Sequence, residues 1–210
     1  MLSTVDRWLV CLATTIIVVF DSLLPVDAKT GTVRLNVYFE PQNADSTKLI
    51  KTELLPLFQD SEMAERISLK LTPSGRATCN AAHKEYTCNC PNGDDECELI
   101  HLMSCTLHDY RHHEDAIELI ACIQGQPTRS EANRQCIRKL PENEAIWLRR
   151  CPNEFRGKYL SWINSLRTKA LTANLTSVPL LTLNSRYKLE PVNVRQQLCE
   201  HLSAPKPSSC

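Results

Sequence analysis

The chain has 210 residues, of which 24 are basic, 24 are acidic and 11 are cysteine. With a formal charge of zero, 42% hydrophobic and 23% charged residues, it has the composition of a globular protein, which excludes a disordered tail, a collagen-like repeat and a polybasic nucleic-acid binder. The length fits one domain of roughly 100–200 residues, and the many cysteines point to disulfides or metal ligands rather than to a reduced cytosolic enzyme.

The first 28 residues have the pattern of a cleaved signal peptide. Arg7 precedes an apolar run from Trp8 to Phe20, and small residues precede a cut after Ala28. The run is shorter than the roughly 20 residues that a membrane helix needs, so no membrane span is predicted. Cys11 leaves with the signal peptide, and the even number of cysteines that remains favours disulfides in an exported protein.

The residues that follow predict a strand, a helix and a second strand. Val33–Glu40 alternates between faces and is rich in β-branched and aromatic residues. Asn43 begins a segment whose apolar residues recur at helical spacing as far as Phe58, and Ile67–Leu71 is a second alternating segment. Two strands joined by a helix indicate a βαβ unit with a parallel pair.

The rest of the chain predicts a loop, a helical region and a hairpin. Residues 79–93 are polar and are predicted to be a loop, and helices are predicted from about residue 96 to residue 171. Val178–Leu183 and Arg186–Leu189 predict a hairpin that turns at Asn184-Ser185, and a last helix is predicted from about Val192 to Leu202.

This order of elements predicts an α/β fold. The expected architecture is a thioredoxin-like sheet with a disulfide-rich helical insertion between its second and third strands. The domain is predicted to span residues 29–203, and the tail, residues 204–210, is predicted to be flexible.

A cysteine motif carries a resemblance to a known family. Residues 90–105 are similar to the signature C-Q-H-G-x-x-E-C-x-x-N-x-x-x-x-C of the gamma-interferon-inducible lysosomal thiol reductase (GILT) family. Five signature residues match in place: Cys90, Gly93, Glu96, Cys97 and Cys105. Three differ: Pro91, Asn92 and Ile100. Further cysteines have similar spacings to those of the family, which implies structural disulfides there as well: Cys122, Cys136, Cys151 and Cys199.

The resemblance also shows what is missing. Family enzymes carry a C-x-x-C motif at the start of the first helix, and the matching positions here are Asn43 and Ser46. A dithiol reductase needs one thiolate to attack a substrate disulfide and a second sulfur to resolve the mixed disulfide. With neither sulfur present, no catalytic residue and no cofactor are predicted, and the chain is expected not to be a reductase by that route.

The resemblance implies a function without catalysis. It implies that Val178-Pro179 is a cis peptide facing a peptide-binding cleft, and that the chain is a secreted binding or modulatory factor in innate immunity or host–microbe interaction. Its partner would be a protein or a cell surface, with no nucleic acid involved. The lysosome is the alternative destination, and Asn174-Leu175-Thr176 is a glycosylation sequon compatible with either.

Two alternatives stay open for the cysteines. Cys88 and Cys90 form a C-x-C pair that could support a surviving thiol–disulfide oxidoreductase. Cys79 and Cys88 lie outside the family positions, so we hypothesise that they pair with each other, which leaves Cys210 as a free thiol or as the link of a disulfide-bonded dimer.

Metal binding is the weaker interpretation of two other patterns. Cys79, His83, Cys88 and Cys90 have a spacing unlike common zinc modules. His108 and His112 lie four residues apart on a predicted helix, but no H-E-x-x-H motif is present, so solvated surface histidines are expected and no metal site is predicted.

Overall fold

A four-stranded mixed sheet organises the chain. The computed structural model describes residues 31–83, 85–110, 112–171 and 175–210. The predicted signal peptide and Asn174 lie outside these ranges. The strands of the main sheet are β1 (Val33–Tyr38), β2 (Ile67–Thr72), β5 (Leu180–Leu183) and β6 (Tyr187–Leu189).

The sheet order is β2-β1-β5-β6. Strand β1 pairs in parallel with β2, with Val37 opposite Leu71, and antiparallel with β5, with Val37 opposite Leu181. Strands β5 and β6 are antiparallel neighbours. The parallel pair and the C-terminal hairpin are therefore as the sequence predicts.

Helices cover the sheet and fill the interval between β2 and β5. The first helix comprises α1 (Ala44–Lys48), a π-helical stretch (Leu49–Leu54) and α2 (Leu55–Phe58), and α3 (Ser61–Ala64) follows it. The insertion contains α4 (Asp94–Asp109), α5 (His113–Ile123), α6 (Arg129–Gln135), α7 (Glu142–Arg150) and α8 (Phe155–Leu171). The last helix is α9 (Val194–His201).

The core lies between the sheet and these helices. Leu35, Val37 and Phe39 are fully buried, as expected for the odd-numbered face of a central strand. The insertion contributes its own buried residues to the same apolar cluster, including Leu102 and Ile120. The insertion is therefore part of the domain core, which makes the predicted thioredoxin-like fold with a helical insertion correct.

The segment predicted to be a loop contains a second, small sheet. Strands β3 (Thr78–Ala82) and β4 (Glu85–Asn89) form an antiparallel hairpin in which Cys79 lies directly opposite Cys88. The side chains of β4 alternate only between exposed and half-buried, so the sequence lacks the apolar alternation that would identify a strand.

The C-terminal tail is held against the body of the domain. Arg66 donates to the backbone oxygens of Pro205 and Ser203, and the backbone N–H of Ser208 donates to Glu62. Ser209 donates to Asp60, whose pKa is lowered to about 2 by its hydrogen bonds with Ser209 and Arg195. The tail that the sequence predicts to be flexible is therefore tied down by residues of the first third of the chain.

Candidate functional site

The site lies where β1 passes into the first helix. Asn43 is the N-cap of α1: its side-chain oxygen accepts a hydrogen bond from the backbone N–H of Ser46 at 2.8 Å. The backbone N–H of Thr47 donates to the carbonyl of Asn43 at 3.0 Å. Asn is among the preferred N-cap residues because its side-chain oxygen satisfies an N–H that has no partner within the helix.

The two predicted site residues differ in their exposure. Asn43 is half-buried at the surface, whereas Ser46 is completely buried beneath it. The hydroxyl of Ser46 accepts from the backbone N–H of Glu40 at 3.4 Å. The pair therefore offers one accessible amide and one enclosed hydroxyl, neither of which can form a disulfide.

An ion pair between a buried carboxylate and an exposed arginine supports the turn before the helix. Glu40 is completely buried, and Arg76 donates to its two carboxylate oxygens from Nε at 2.8 Å and from Nη2 at 2.7 Å. The backbone N–H of Arg76 donates to the same carboxylate at 2.8 Å. Hydrogen bonding to Glu40 raises the pKa of Arg76. A bidentate arrangement of this kind fixes orientation as well as charge.

The residue before Arg76 must be glycine for this ion pair to form. Gly75 has a φ of +42°, and a Cβ on it would lie 2.3 Å from Cγ of Glu40. Both the backbone conformation and the lack of a side chain are therefore needed there. The sequence reasoning missed this pair, because Glu40 and Arg76 are far apart in the chain and no local motif links them.

The helical insertion also reaches the site. The side-chain amide of Gln124, at the end of α5, donates to the carbonyls of Glu40 and Pro41, both at 2.9 Å. It also lies 3.0 Å from the hydroxyl of Thr47, and Gly125 N–H donates to the carbonyl of Pro41. The turn that precedes the helix is thus held by Gln124 and Gly125 of the insertion as well as by the ion pair of Glu40 with Arg76.

The Val178-Pro179 peptide lies at the same end of the sheet. It is cis, as the resemblance implies. Tyr38 pairs with Leu180, so continuing that register by one residue brings Pro179 beside Phe39, just before the turn that leads to Asn43. Val178 is buried and Pro179 is half-exposed. The topology therefore brings the predicted cleft residues and the predicted helix-start residues to the same sheet end.

The cysteines lie elsewhere and are all bonded. The ten cysteines between residues 79 and 210 form five disulfides within the chain: Cys79–Cys88, Cys90–Cys97, Cys105–Cys151, Cys122–Cys136 and Cys199–Cys210. The hypothesis that Cys79 pairs with Cys88 is confirmed, and so are the structural disulfides expected for the family-like cysteines.

Two of the cysteine hypotheses need correction. Cys210 is bonded to Cys199, so it is neither a free thiol nor available to link a dimer. Cys88 and Cys90 belong to different disulfides, so they are not a redox pair with each other.

Neither of the two patterns considered for metal binding forms a metal site in the structure. Cys79, Cys88 and Cys90 are disulfide sulfurs, which are not thiolate ligands. His108 and His112 do not share a helix, because α4 ends at Asp109 and His112 has an extended backbone. Across the described ranges, no three His, Cys, Asp or Glu side chains cluster closely enough to hold a metal ion.

One buried histidine escaped the sequence reasoning. The Nδ1 atom of His113 accepts a hydrogen bond from the backbone N–H of Leu71 at 2.7 Å, on the outer edge of β2. Burial, with smaller contributions from Lys70, Arg167 and His112, lowers the pKa of His113 to about 4. Its neighbours in the sequence, His112 and Glu114, gave no sign of this role.

The fold defined by these elements is that of thioredoxin-like thiol–disulfide exchange proteins. A DsbA from Chlamydia trachomatis superposes with a TM-score of 0.55 at 16% identity, covering 85% of this chain and 94% of that one. The thiol–disulfide exchange protein alpha-DsbA2 from Wolbachia pipientis gives a TM-score of 0.53 at 10% identity, covering 82% and 83%. These likenesses concern the fold alone.

Within that class, the sequence identifies the family. The family model for gamma interferon inducible lysosomal thiol reductase (GILT) matches residues 34–140, and the chain belongs to the GILT family. Within the described residues, no helix combines the length and the apolar character of a membrane span.

Three relatives illustrate how far the similarity extends. A GILT-like protein of Caenorhabditis elegans is 27% identical over 179 residues, 85% of this chain, and the chain spans only 55% of that relative's length. A second one from the same species is 24% identical over 182 residues, covering 85% and 84%. A gamma-interferon-inducible lysosomal thiol reductase of Carassius auratus is 24% identical over 156 residues, covering 74% and 61%.

Proposed function

We propose that this chain is an exported, non-catalytic member of the GILT family that acts by binding a protein partner. The observation that carries the proposal is the chemistry at the start of the first helix. Asn43 and Ser46 stand there, and the sequence has no cysteine between residues 12 and 78. We assign these two positions to the vacated C-x-x-C motif.

The loss of sulfur removes the reaction and leaves the surrounding frame. A helix N-terminus favours a thiolate because its unpaired N–H groups attract negative charge. Here the N–H of Ser46 is already bonded to Asn43, and the Ser46 hydroxyl is enclosed. Neither side chain can attack a disulfide sulfur and then be displaced from it by a neighbouring sulfur.

The proposed binding surface is the cleft beside Val178-Pro179. Pro179 belongs to no strand and directly precedes β5, and we infer that the backbone around it pairs with an extended peptide strand. Asn43 borders the same surface and offers one amide for a polar contact. Together these features support a peptide or protein partner more than a small substrate to be reduced.

The biological setting is part of the proposal. The signal-peptide pattern of residues 1–28 and the sequon at Asn174 support export, either out of the cell or into the lysosome. A modulatory role in innate immunity or in host–microbe interaction is the role we infer from family membership.

A disulfide-reductase assay tests the non-catalytic assignment. The purified chain is given insulin and a fluorescent disulfide substrate with a thiol donor, at neutral and at acidic pH. We expect the rate to equal that of the thiol donor without protein, and Ser46→Ala to leave it unchanged, because Ser46 takes no part in electron transfer. Turnover above that level, lost in Cys88→Ser or Cys90→Ser, would establish the oxidoreductase alternative instead.

A further inference from the structure

A cavity remote from the candidate site has its own chemistry. It has a volume of about 410 Å³ and lies between β2, the end of α4, the start of α5 and α8. None of its lining residues belongs to the turn or the helix start that contains Asn43 and Ser46. The volume falls in the range of about 300–1,000 Å³ that is typical of small-molecule sites.

The charged side chains that line the cavity are basic. Lys70 from β2 and Arg167 from α8 both line it, and the lining residues include no Asp or Glu. In the described parts of the chain, neither cation has a carboxylate within ion-pair distance. Burial, followed by repulsion from Arg167, lowers the pKa of Lys70. Two uncompensated cations at one cavity favour an anion between them.

Part of the remaining wall is apolar, beside polar side chains that include Ser104 and Asn164. Leu107, Leu160 and Ile163 line the cavity with apolar surface. Tyr159 adds an aromatic ring that belongs to a surface cluster, with its centroid 5.8 Å from that of Trp162. A hydrated inorganic ion would leave this wall unfilled, whereas an apolar chain or ring would cover it.

A neutral hydrogen-bond donor, His113, also lines the cavity. Because Nδ1 of His113 accepts from the backbone of Leu71, the neutral ring carries its proton on Nε2. The imidazole is therefore held as a hydrogen-bond donor without adding a third full charge. Donors and cations together suit a carboxylate, which has two acceptor oxygens and no donor when ionised.

We propose that this cavity binds a small amphipathic organic anion, with its carboxylate between Lys70 and Arg167 and its apolar body against Leu107, Leu160 and Ile163. The site is independent of the helix start, so it stands whether or not the chain is a reductase. Lys70 supplies a positive charge that selects for an anion, and the planar guanidinium of Arg167 provides paired donors for the carboxylate.

Isothermal titration calorimetry on the purified chain tests this site with octanoate as the probe. Three comparison compounds separate its requirements: octylammonium reverses the charge, 1-octanol removes it, and inorganic phosphate lacks the apolar body. We expect octanoate to bind at one site per chain, and each comparison compound to bind at least about tenfold more weakly. Equal binding of octanol or of phosphate overturns the proposal.

Substitutions then locate the site. Lys70→Gln and Arg167→Gln should each weaken octanoate about tenfold and reduce its preference over octylammonium. Lys169→Gln is the matched control, since it removes the same charge from the same helix outside the cavity. Arg167 is exposed, so its substitution should leave folding intact even if that of Lys70 does not. An equal loss in Lys169→Gln, or no loss in Arg167→Gln, contradicts the assignment.

Discussion

The start of the first helix and the rest of the domain use sulfur in opposite ways. Between residues 12 and 78 there is no cysteine, although the turn, the helix N-terminus and the cis peptide that frame this place are all present. From residue 79 onwards all ten cysteines are bonded in pairs within the chain. The cysteines of the described chain therefore stabilise the fold, while the helix start to which we assign the vacated motif contains none.

The difference teaches that the frame does not depend on the reacting atoms. Asn43 caps the helix, and Ser46 fills the buried position below it. The ion pair between Glu40 and Arg76 involves no cysteine. On the proposed assignment, the site loses its reaction and keeps its shape, which is what a binding function on an enzyme scaffold requires.

Restoring the sulfurs should produce the largest change. In the Asn43→Cys/Ser46→Cys variant, the first thiol stands half-buried at a helix N-terminus and the second lies buried beneath it. Because the helix end lowers the pKa of the first thiol, we expect disulfide-reductase turnover to rise from background to a measurable rate. The insulin-reduction assay detects it.

Single substitutions are the matched controls for this gain. Asn43→Cys alone can attack a disulfide but has no partner to resolve the mixed disulfide, so it should form a stable mixed disulfide with a disulfide reagent, releasing one thiol, and not turn over. If the double variant folds and forms its disulfide yet remains inactive, the assignment of the vacated motif to residues 43 and 46 is wrong.

Opening the longest disulfide loop tests the other half of the comparison. Cys105–Cys151 joins completely buried residues 46 positions apart. Its replacement by Cys105→Ala/Cys151→Ala should lower the free energy of unfolding by about 4 kcal/mol, since the denatured chain regains the entropy of that loop. Denaturant titration with non-reducing conditions throughout measures the loss.

The terminal disulfide provides the comparison. Cys199–Cys210 closes only 11 positions, so Cys199→Ala/Cys210→Ala should lose about 3 kcal/mol by the same entropy relation. The double substitution is used because Cys210→Ser alone would leave Cys199 as a free thiol. The native chain should run as a monomer on a non-reducing gel. A native band at twice the monomer mass, removed by thiol and absent in Cys199→Ala/Cys210→Ala, would contradict the disulfide within the chain.

Acid should lower the free energy of unfolding of the domain through the protonation of His113. Its pKa is about 4 in the folded chain and 6.5 when unperturbed, so between these values the unfolded chain binds a proton that the folded chain does not. Stability is therefore complete above pH 6.5 and declines as the pH falls towards 4. This group should contribute a loss of about 2 kcal/mol between pH 7.5 and pH 5, read from unfolding curves across that range.

Two substitutions at this position separate the proton from the hydrogen bond. His113→Asn keeps an acceptor for the backbone of Leu71 but does not titrate, so it should flatten the pH dependence. His113→Ala leaves that N–H unpaired and should cost about 1–3 kcal/mol even at pH 7.5. His101, whose pKa burial also lowers to about 4, keeps part of the dependence in both variants. An unchanged pH slope in His113→Asn would contradict this account.

The sequence predicts those features that a local pattern carries. Strand β1, strand β2 and the C-terminal hairpin follow from apolar alternation, and the helical insertion follows from helical spacing between prolines. The start of the first helix near Asn43 can be predicted because capping depends on residues only three positions apart. The family signature at Cys90–Cys105 is equally local.

Contacts between distant residues account for what the sequence did not predict. Of the strand residues in hairpin β3–β4 only Cys79 is buried, and its backbone N–H donates to the hydroxyl of Ser165 on the distant helix α8. The tail is ordered by Asp60, Glu62 and Arg66, which no pattern near Cys210 could indicate. The same holds for Glu40 with Arg76, because the ion pair of a buried carboxylate with a distant arginine can be identified only when the fold brings the two together.

The smallest predicted effect returns to the helix start. Asn43→Ala removes the side-chain acceptor for Ser46 N–H and should lower the free energy of unfolding by about 1 kcal/mol, the usual cost of losing an N-cap. Asn43→Asp keeps the acceptor and adds a negative charge at the helix N-terminus, so it should retain or slightly exceed native stability. Denaturant unfolding curves measure the stability of both variants from their midpoints, provided that the slope m is the same as in the native chain. If both variants bind a partner as the native chain does, residue 43 serves only as a cap. If Asn43→Asp loses more binding than Asn43→Ala, the amide itself contacts the partner. Lost stability could not explain that result, because Asn43→Asp is expected to be the more stable variant.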